Sequence, residues 1–272
     1  MIDTHLHTEF SDDSEQPPLE LIARAKDSGQ FELIIITDHV DKEYFNPKVS
    51  GVKDFDKYFA TLADASAALA FRGKVAFGIE LGFTEKNRLI NGELARTQPF
   101  EYIINSVHEV DKRDCYFPAY FEGMERDEAY MKYFRAVLKS VSAPYAYSTL
   151  GHLAYVERNA PFEDTAVKYS RFEDVLDEIL TGIIKREVSL ELNTSSAKAS
   201  TPIIPNAEIL ARYYSLGGRL ITCGSDAHRA VRLGDKYAVA VAAARKAGFR
   251  NWSVKFLRGF GTTKEGIREF GF

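Results

Sequence analysis

Short apolar runs alternate with longer amphipathic segments along most of the chain. Runs rich in β-branched residues, such as residues 33–37 (LIIIT), are typical of parallel strands that are buried on both faces. The pattern predicts seven strands, at residues 2–7, 33–37, 75–81, 102–107, 147–153, 189–193 and 220–225. A longer segment, suited to a helix, follows most of these strands.

Helices are predicted where apolar residues recur with a period of about 3.6. Pro17 and Pro18 open the first helix, which ends near Gly29. The other predicted helices cover residues 54–71, 125–141, 172–187, 206–215 and 235–246. Residues 84–99 are expected to form a loop with one helical turn, and the apolar, basic tail at residues 252–260 is expected to pack back on the body.

Strands that alternate with helices imply parallel β-α units. A chain of 272 residues suits one large α/β domain, and we expect a single domain over residues 1–272. A closed or nearly closed barrel is the natural architecture at this length. A doubly wound open sheet is the alternative, but no Gly-x-Gly-x-x-Gly turn follows the first strand.

All six histidines lie at or just after the ends of predicted strands. His5 and His7 are two residues apart on the first strand, so their side chains leave the backbone on the same side. The other four follow later strands and are His39, His108, His152 and His228. Because functional groups of a β/α barrel collect at the carboxyl ends of its strands, we expect the six imidazoles to share a metal site.

Carboxylates also occur at or near the ends of the predicted strands. Glu80 closes the third strand between apolar neighbours, where an unpaired carboxylate would be costly to bury. Asp226 lies two residues before the last histidine, and Asp12 and Asp13 follow the second one. A helix N-terminal cap is the alternative role for these two aspartates, and three carboxylates remain as candidate ligands if one of the two only caps.

The ligand set is too large for one ion. Six imidazoles and three carboxylates exceed the usual set of about four ligands around zinc, and they fit three divalent metal ions. Mixed histidine and carboxylate ligands suit Zn, Mn or Fe. Such clusters clamp phosphoryl oxygens and activate water, so phosphoester hydrolysis is expected. Asp3 and Asp38 are expected to orient neighbouring imidazoles.

The amino-acid composition limits the kinds of molecule that the protein is expected to bind. A formal net charge of -4 argues against nucleic-acid binding, whereas a small phosphorylated substrate needs only a local cationic pocket. Cys115 and Cys223 provide no disulfide framework, and Cys223 is expected to be buried. Without a signal-peptide pattern or a membrane-spanning run, we expect a cytoplasmic protein with no membrane partner, whose chain begins at the first barrel strand. The oligomeric state is left open.

The histidine and carboxylate motifs occur in a specific order. H-x-H-T, T-D-H, G-I-E, S-V-H, G-H and S-D-A-H, running from His5 to His228, together resemble the polymerase-and-histidinol-phosphatase (PHP) family. The resemblance implies the α/β fold of that family, a distorted seven-stranded (β/α)7 TIM-like barrel. It also implies a metal-dependent phosphoric monoester hydrolase.

The resemblance assigns three metal sites. The first would be held by His5, His7, Glu80 and Asp226. Glu80 would bridge to a second site that His108 and His152 complete. The third would be held by Asp13, His39 and His228, with Asp12 as the alternative to Asp13.

Two further segments resemble the monofunctional histidinol-phosphate phosphatases of that family. They are residues 151–158 (GHLAYVER) and residues 191–195 (ELNTS). The resemblance implies hydrolysis of L-histidinol phosphate to L-histidinol and phosphate in histidine biosynthesis, with Arg158 and Lys198 binding the phosphate. Ordinary solvated charge is the alternative for both residues. Asp226, His228 or a water are the candidates for protonating the leaving alkoxide.

Three rival functions remain open at this point. The first is another phosphoesterase of the same family, acting on a nucleotide or a sugar phosphate. The second is a hydrolase of the amidohydrolase type. Such hydrolases usually have a bridging lysine at a strand end, and no lysine occurs in the histidine and carboxylate motifs. The third is a non-catalytic metal module.

Overall fold

Parallel strands with helices between them account for most of the chain. The computed structural model describes residues 1–46, 50–196, 201–258 and 266–272. The strands are β1 Ile2–Leu6, β2 Leu33–Ile36, β3 His39–Val40, β4 Val75–Gly82, β5 Tyr102–Ser106, β6 Glu109–Val110, β7 Arg113–Asp114, β8 Thr149–Leu150, β9 Ser189–Asn193, β10 Ile221–Gly224, β11 Asn251–Phe256 and β12 Gly266–Gly271. The helices are α1 Pro18–Ser28, α2 Phe55–Ala68, α3 Arg88–Thr97, α4 Arg126–Val141, α5 Glu173–Lys185, α6 Ala207–Ser215 and α7 Tyr237–Ala247.

Seven parallel strands form a nearly closed barrel, as the sequence predicts. Their order is β1-β2-β4-β5-β8-β9-β10, and β3 pairs with β4 beside this path. The segment after β10 returns to β1, where the Asp226 amide donates to the His5 carbonyl at 2.9 Å and the His7 amide donates to Ala227 at 3.0 Å. These bonds bring the S-D-A-H motif against the first strand.

Six predicted helices are confirmed, with ends that shift by a few residues. Local chemistry explains several of these ends. Gly29 adopts a left-handed conformation after α1, and Asp54 and Asn206 cap α2 and α6 by accepting backbone hydrogen bonds. No helix in the four described ranges is long and apolar enough to cross a membrane.

The prediction of a loop at residues 84–99 is wrong, because α3 occupies most of it. Leu89 is 67% exposed, whereas Asn91 is fully buried and donates to the Gly82 carbonyl at 3.1 Å. The helix therefore buries a polar residue instead of an apolar stripe, which removes the period that sequence reasoning uses.

Several predicted strands are shorter than expected, and two of them differ in a way that bears on the site. The fifth covers only Thr149–Leu150, because the His152 amide turns out of the sheet to donate to the Glu191 carboxylate at 2.7 Å. The second ends at Ile36, and His39 lies in the separate strand β3, opposite Glu80 of β4.

The described part of the predicted tail packs on the body as expected. β11 pairs antiparallel with β12, and its side chains Trp252, Val254 and Phe256 are buried. Cys115 and Cys223 are both buried and unpaired, as expected for Cys223. The single domain over residues 1–272 stays a prediction.

Candidate metal centre

The six imidazoles converge at the carboxyl ends of the barrel strands. His7 is stacked between two others, with ring centroids 4.2 Å from His39 and 4.1 Å from His228. The His5 ring lies 5.0 Å from the ring of His7, which directly follows β1, and the His108 and His152 rings are 5.2 Å apart. The predicted gathering of histidines at one rim is therefore what the structure shows.

Glu80 lies at the centre of this cluster and is fully buried. Its Oε2 is 2.8 Å from His39 Nδ1 and 3.2 Å from His5 Nε2. Its Oε1 is 2.9 Å from His152 Nε2 and 3.2 Å from His108 Nε2. One carboxylate thus contacts imidazoles on both sides of the cluster, which is the geometry of a bridging ligand.

Burial and neighbouring charges shift the pKa values of the cluster residues in different directions. Burial would raise the pKa of Glu80, but the positive charges of His5 and His39 outweigh it and hold this pKa well below its usual range. Burial would lower the pKa of His5, but Glu80 and Glu191 raise it well above normal. His7 behaves oppositely, because burial and the neighbouring imidazoles both lower its pKa. The His7 ring is therefore neutral, with a lone pair free for a cation.

Asp226 joins the cluster from the segment after β10. Its Oδ1 is 3.3 Å from His7 Nε2 and 3.7 Å from His228 Nδ1. Burial would raise its pKa, but His5 and Arg158 hold it well below the usual range. The group is therefore an anion beside the imidazoles.

The two neighbouring aspartates have different partners. Asp13 Oδ2 lies 3.0 Å from His228 Nε2 and 3.7 Å from His39 Nε2. Asp12 instead accepts from the amides of Ser50 and Gly51, at 2.7 Å each. This geometry favours Asp13 over Asp12 as a ligand, and the ligand role stays a prediction.

The donor atoms fit a group of divalent cations. Buried polar atoms normally have hydrogen-bond partners. Within the described residues, several buried atoms of the cluster lie close to a carboxylate or an imidazole but form no well-aligned hydrogen bond, namely His5 Nε2, His7 Nε2, His39 Nδ1, His228 Nε2 and Glu80 Oε2. Three groups have ligand atoms within 4.8 Å of one another: His7, His39 and His228; His5, His7 and Glu80; His39, Glu80 and His108. Imidazole nitrogen and carboxylate oxygen are the donors that zinc takes in catalytic sites.

Three side chains outside the predicted ligand set hold imidazole rings through the Nδ1 atom. Sequence reasoning did not predict this role for any of them. Glu191 Oε1 lies 2.6 Å from His5 Nδ1, and Asp41 Oδ1 lies 3.0 Å from His108 Nδ1. The Ser11 hydroxyl lies 3.1 Å from Nδ1 of the second histidine. Each contact leaves the Nε2 atom facing the cluster. Glu191 could have been found by the signal that identified Glu80, a carboxylate inside an apolar strand.

Asp3 and Asp38 bond to backbone and hydroxyl groups rather than to an imidazole ring, and their role in orienting imidazoles stays a prediction. Asp3 accepts from the backbone amides of Ser225 and Gly234, at 2.9 Å each. Asp38 accepts from Thr8 and from the Ser11 hydroxyl, the latter at 2.7 Å. Asp38 is linked to the His7 ring through Ser11, whose hydroxyl also lies 3.1 Å from His7 Nδ1.

Arg158 lies beside the cluster and is not an ordinary solvated charge. Its Nη2 donates to Asp226 Oδ2 at 3.0 Å and to Asn193 Oδ1 at 3.1 Å. Its guanidinium stacks over the Tyr155 ring at 4.9 Å. The Ser195 hydroxyl donates to Asp226 at 3.2 Å. Sequence reasoning did not assign Asn193 or Ser195 to the site. The predicted phosphate-binding residue Lys198 lies outside the described residues.

A cavity of about 570 Å³ opens over the cluster. Its lining includes the imidazoles of His39, His108, His152 and His228, with Asp226 and Arg158. It also includes the aromatic residues Tyr44, Phe45, Tyr116, Phe117 and Tyr155, of which Tyr155 lies against the His152 ring at 4.8 Å. The cavity thus places a space for a ligand directly against the candidate metal ligands.

A nearly closed β/α barrel with a histidine and carboxylate cluster at its carboxyl rim defines the class of metal-dependent barrel hydrolases. Within that class, the sequence profile of the PHP domain matches residues 3–195. The chain belongs to the PHP domain family, as its motifs predict.

Known proteins with similar sequences are named for one activity. A probable histidinol-phosphatase of Clostridium acetobutylicum is 32% identical over 230 residues, which cover 84% of this chain and 86% of the relative. The histidinol-phosphatase of Lactococcus lactis is 29% identical over 91% of each chain. The crystal structure of the histidinol phosphate phosphatase from Lactococcus lactis, complexed with Zn, L-histidinol and phosphate, matches with a TM-score of 0.82 and 27% identity, covering 93% of this chain and 95% of that one.

Proposed function

We propose that this protein hydrolyses L-histidinol phosphate to L-histidinol and phosphate, as a metal-dependent phosphatase of histidine biosynthesis. The observation that carries the proposal is the Glu80-centred cluster with Arg158 at the wall of its cavity. The relatives named histidinol-phosphatase, and the similar structure that holds Zn, L-histidinol and phosphate, support the same reaction. A cytoplasmic location and the absence of nucleic-acid partners belong to this proposal.

The cofactors we propose are three divalent metal ions, Zn, Mn or Fe, in a trinuclear centre. The ligand sets are His5, His7, Glu80 and Asp226; Glu80, His108 and His152; and Asp13, His39 and His228. Two observations support these sets: the central position of Glu80, and the buried ring nitrogens that form no hydrogen bond within the described residues. Divalent ions supply Lewis acidity and lower the pKa of water when bound.

Arg158 and the groups around it would handle the phosphate. The Nη2 atom is held by Asp226 and Asn193, while the buried Nε atom has no hydrogen-bond partner among the described residues. Nε can therefore donate to a phosphate oxygen without breaking the contact that positions the guanidinium. We include Lys198 as a second phosphate-binding residue.

Two residues are the candidates for moving protons. Asp226 is the first candidate, because its carboxylate lies beside the imidazoles and Arg158, where it would pass a proton from the attacking water to the leaving alkoxide. His228 is the second candidate, because Asp13 and Asp226 raise its pKa although burial would lower it. Of the two, Asp226 is also contacted by Arg158, which places it nearer the proposed phosphate position.

A substrate panel tests the proposal. Protein loaded with Zn, Mn or Fe is assayed on L-histidinol phosphate, nucleoside monophosphates and sugar phosphates. We expect kcat/KM for L-histidinol phosphate to exceed that of every competitor by about 100-fold or more. Glu80→Ala is the control, and it should abolish phosphate release. Activity confined to nucleotides or sugar phosphates, or full activity of Glu80→Ala, would contradict the proposal.

A further inference from the structure

Two loops contribute aromatic residues to the lining of the cavity, and together these residues are called the aromatic wall. The segment after β3 provides Tyr44 and Phe45, and the segment after β7 provides Tyr116 and Phe117. Three of these rings are about half exposed, with Phe45 at 45%, Tyr116 at 44% and Phe117 at 50%. Several large aromatic side chains left exposed at one cavity mouth mark a ligand-binding surface.

Asp114, the last residue of β7, is the carboxylate within this aromatic wall. One of its oxygens accepts from the backbone amide of Tyr116 at 2.6 Å, and the other accepts from the Tyr44 hydroxyl. An ionised carboxylate has about four acceptor positions, so acceptor capacity remains on both oxygens. The two contacts fix the carboxylate and tie the two loops together.

The other carboxylates of the cavity are committed to different partners. Asp12 holds two backbone amides, and Asp13 and Asp41 lie against imidazoles. Asp226 contacts imidazoles and a guanidinium. Within the described residues that line the cavity, Asp114 is the carboxylate for which no ion pair is found. It is therefore the anion best placed to meet a cation brought in by a ligand.

Arg158 and Asp114 both line the cavity, with opposite charges. The Arg158 guanidinium lies beside the metal centre, and Tyr155 links it to the aromatic wall, because the Tyr155 and Tyr116 ring centroids are 6.5 Å apart. A ligand with an anionic group at Arg158 and a cationic group at Asp114 would satisfy both places. Aromatic faces around the carboxylate would also attract a cation.

We propose that Asp114 binds the protonated amine of the substrate and thereby makes the enzyme selective for phosphomonoesters that carry a cationic amine. The inference rests on the proposed function for the reaction itself and adds a residue that determines specificity. Asp114→Asn is the informative variant, because the amide keeps the size of the side chain and can still accept from the Tyr116 amide.

The test compares two substrates that differ only in the amine, L-histidinol phosphate and its deamino analogue, 3-(imidazol-4-yl)propyl phosphate. We expect Asp114→Asn to lower kcat/KM about 30-fold for the amine substrate, mainly through KM, and less than about 3-fold for the analogue. Asp111→Asn is the matched control. This residue lies in the same hairpin but is exposed and paired with Lys132, so both substrates should keep their rates.

Equal losses on both substrates would show that Asp114 only supports the loops, and unchanged rates on both would show that it does not bind the amine. Either result overturns the inference. A wild-type enzyme that ignores L-histidinol phosphate contradicts the proposed function separately. In that case the same variants are compared on O-phosphoethanolamine and ethyl phosphate, where loss of the preference for the amine supports the role of Asp114 and an unaltered preference rejects it.

Discussion

At the scale of single residues, the site depends on how each carboxylate is paired. Glu80 is buried among imidazoles on both sides, so its charge is offset without a lysine or arginine in contact within the described residues. Removing it would leave the Nε2 atoms of His108 and His152 without the carboxylate that they share. This pairing makes Glu80 the residue on which the proposed centre depends most.

Asp12 and Asp13 provide a matched pair for testing ligand assignment. We expect Asp13→Ala to lose about 10- to 100-fold in metal affinity or activity, because its carboxylate lies between His228 and His39. Asp12→Ala should retain its metal and lose about 1–2 kcal/mol of stability, because two backbone amides lose their acceptor. Metal content by mass spectrometry and urea unfolding measure the two effects. The reverse pattern would assign the ligand role to Asp12.

The candidate ligands could be predicted from sequence because their signals are local. His5 and His7 are two apart on a strand, and Glu80 is a charge inside an apolar run. The roles of Asp41 and Ser11 could not be predicted, because these residues meet their imidazoles through the packing of separate strands and loops. The spacing of residues along the chain does not indicate such contacts.

At the scale of elements, the segment after β3 connects the metal centre to the cavity wall. Gly51, which follows β3 along the chain, has a left-handed φ of 66° and lies against the backbone of β3. A Cβ atom at this position would lie 1.7 Å from the carbonyl oxygen of His39. That carbonyl also accepts from the Val52 amide at 2.9 Å. The position therefore demands glycine for both its conformation and its contacts.

Gly51→Ala and Gly29→Ala separate these two demands. Gly29 has a similar φ of 65°, but a Cβ atom there would meet no atom within 4 Å. We expect Gly29→Ala to lower the free energy of unfolding by about 1–2 kcal/mol, the cost of a left-handed alanine. Gly51→Ala should cost about 3 kcal/mol or more, because it also displaces backbone at His39. Urea unfolding of both variants provides the comparison, and equal losses would contradict a role for Gly51 in positioning His39.

Elements with a clear apolar pattern could be predicted, and those shaped by polar contacts could not. The long strands and the helices with one apolar face lie close to their predicted positions. Helix α3 was missed because its fully buried residue is Asn91, and β8 is short because the next amide binds Glu191. In both cases a polar partner supplied by another part of the chain decided the local structure.

At the scale of the whole molecule, closure of the barrel assembles the site. The segment after β10 hydrogen-bonds to β1 and brings Asp226 and His228 to the histidines of the first strand. The number and type of strands predicted this closure. The aromatic wall could not be predicted, because it comes from loops after β3 and β7 that are distant in the sequence.

The central claim is that this cluster binds the divalent ions on which phosphate release depends, and a metal titration tests it most directly. Protein stripped by a chelator is reloaded stepwise with Zn, Mn or Fe, and bound ions per chain are measured alongside phosphate release from L-histidinol phosphate. We expect no release from the stripped protein and a rate that rises with loading to about three ions per chain. Full phosphate release by protein without bound ions would contradict the claim.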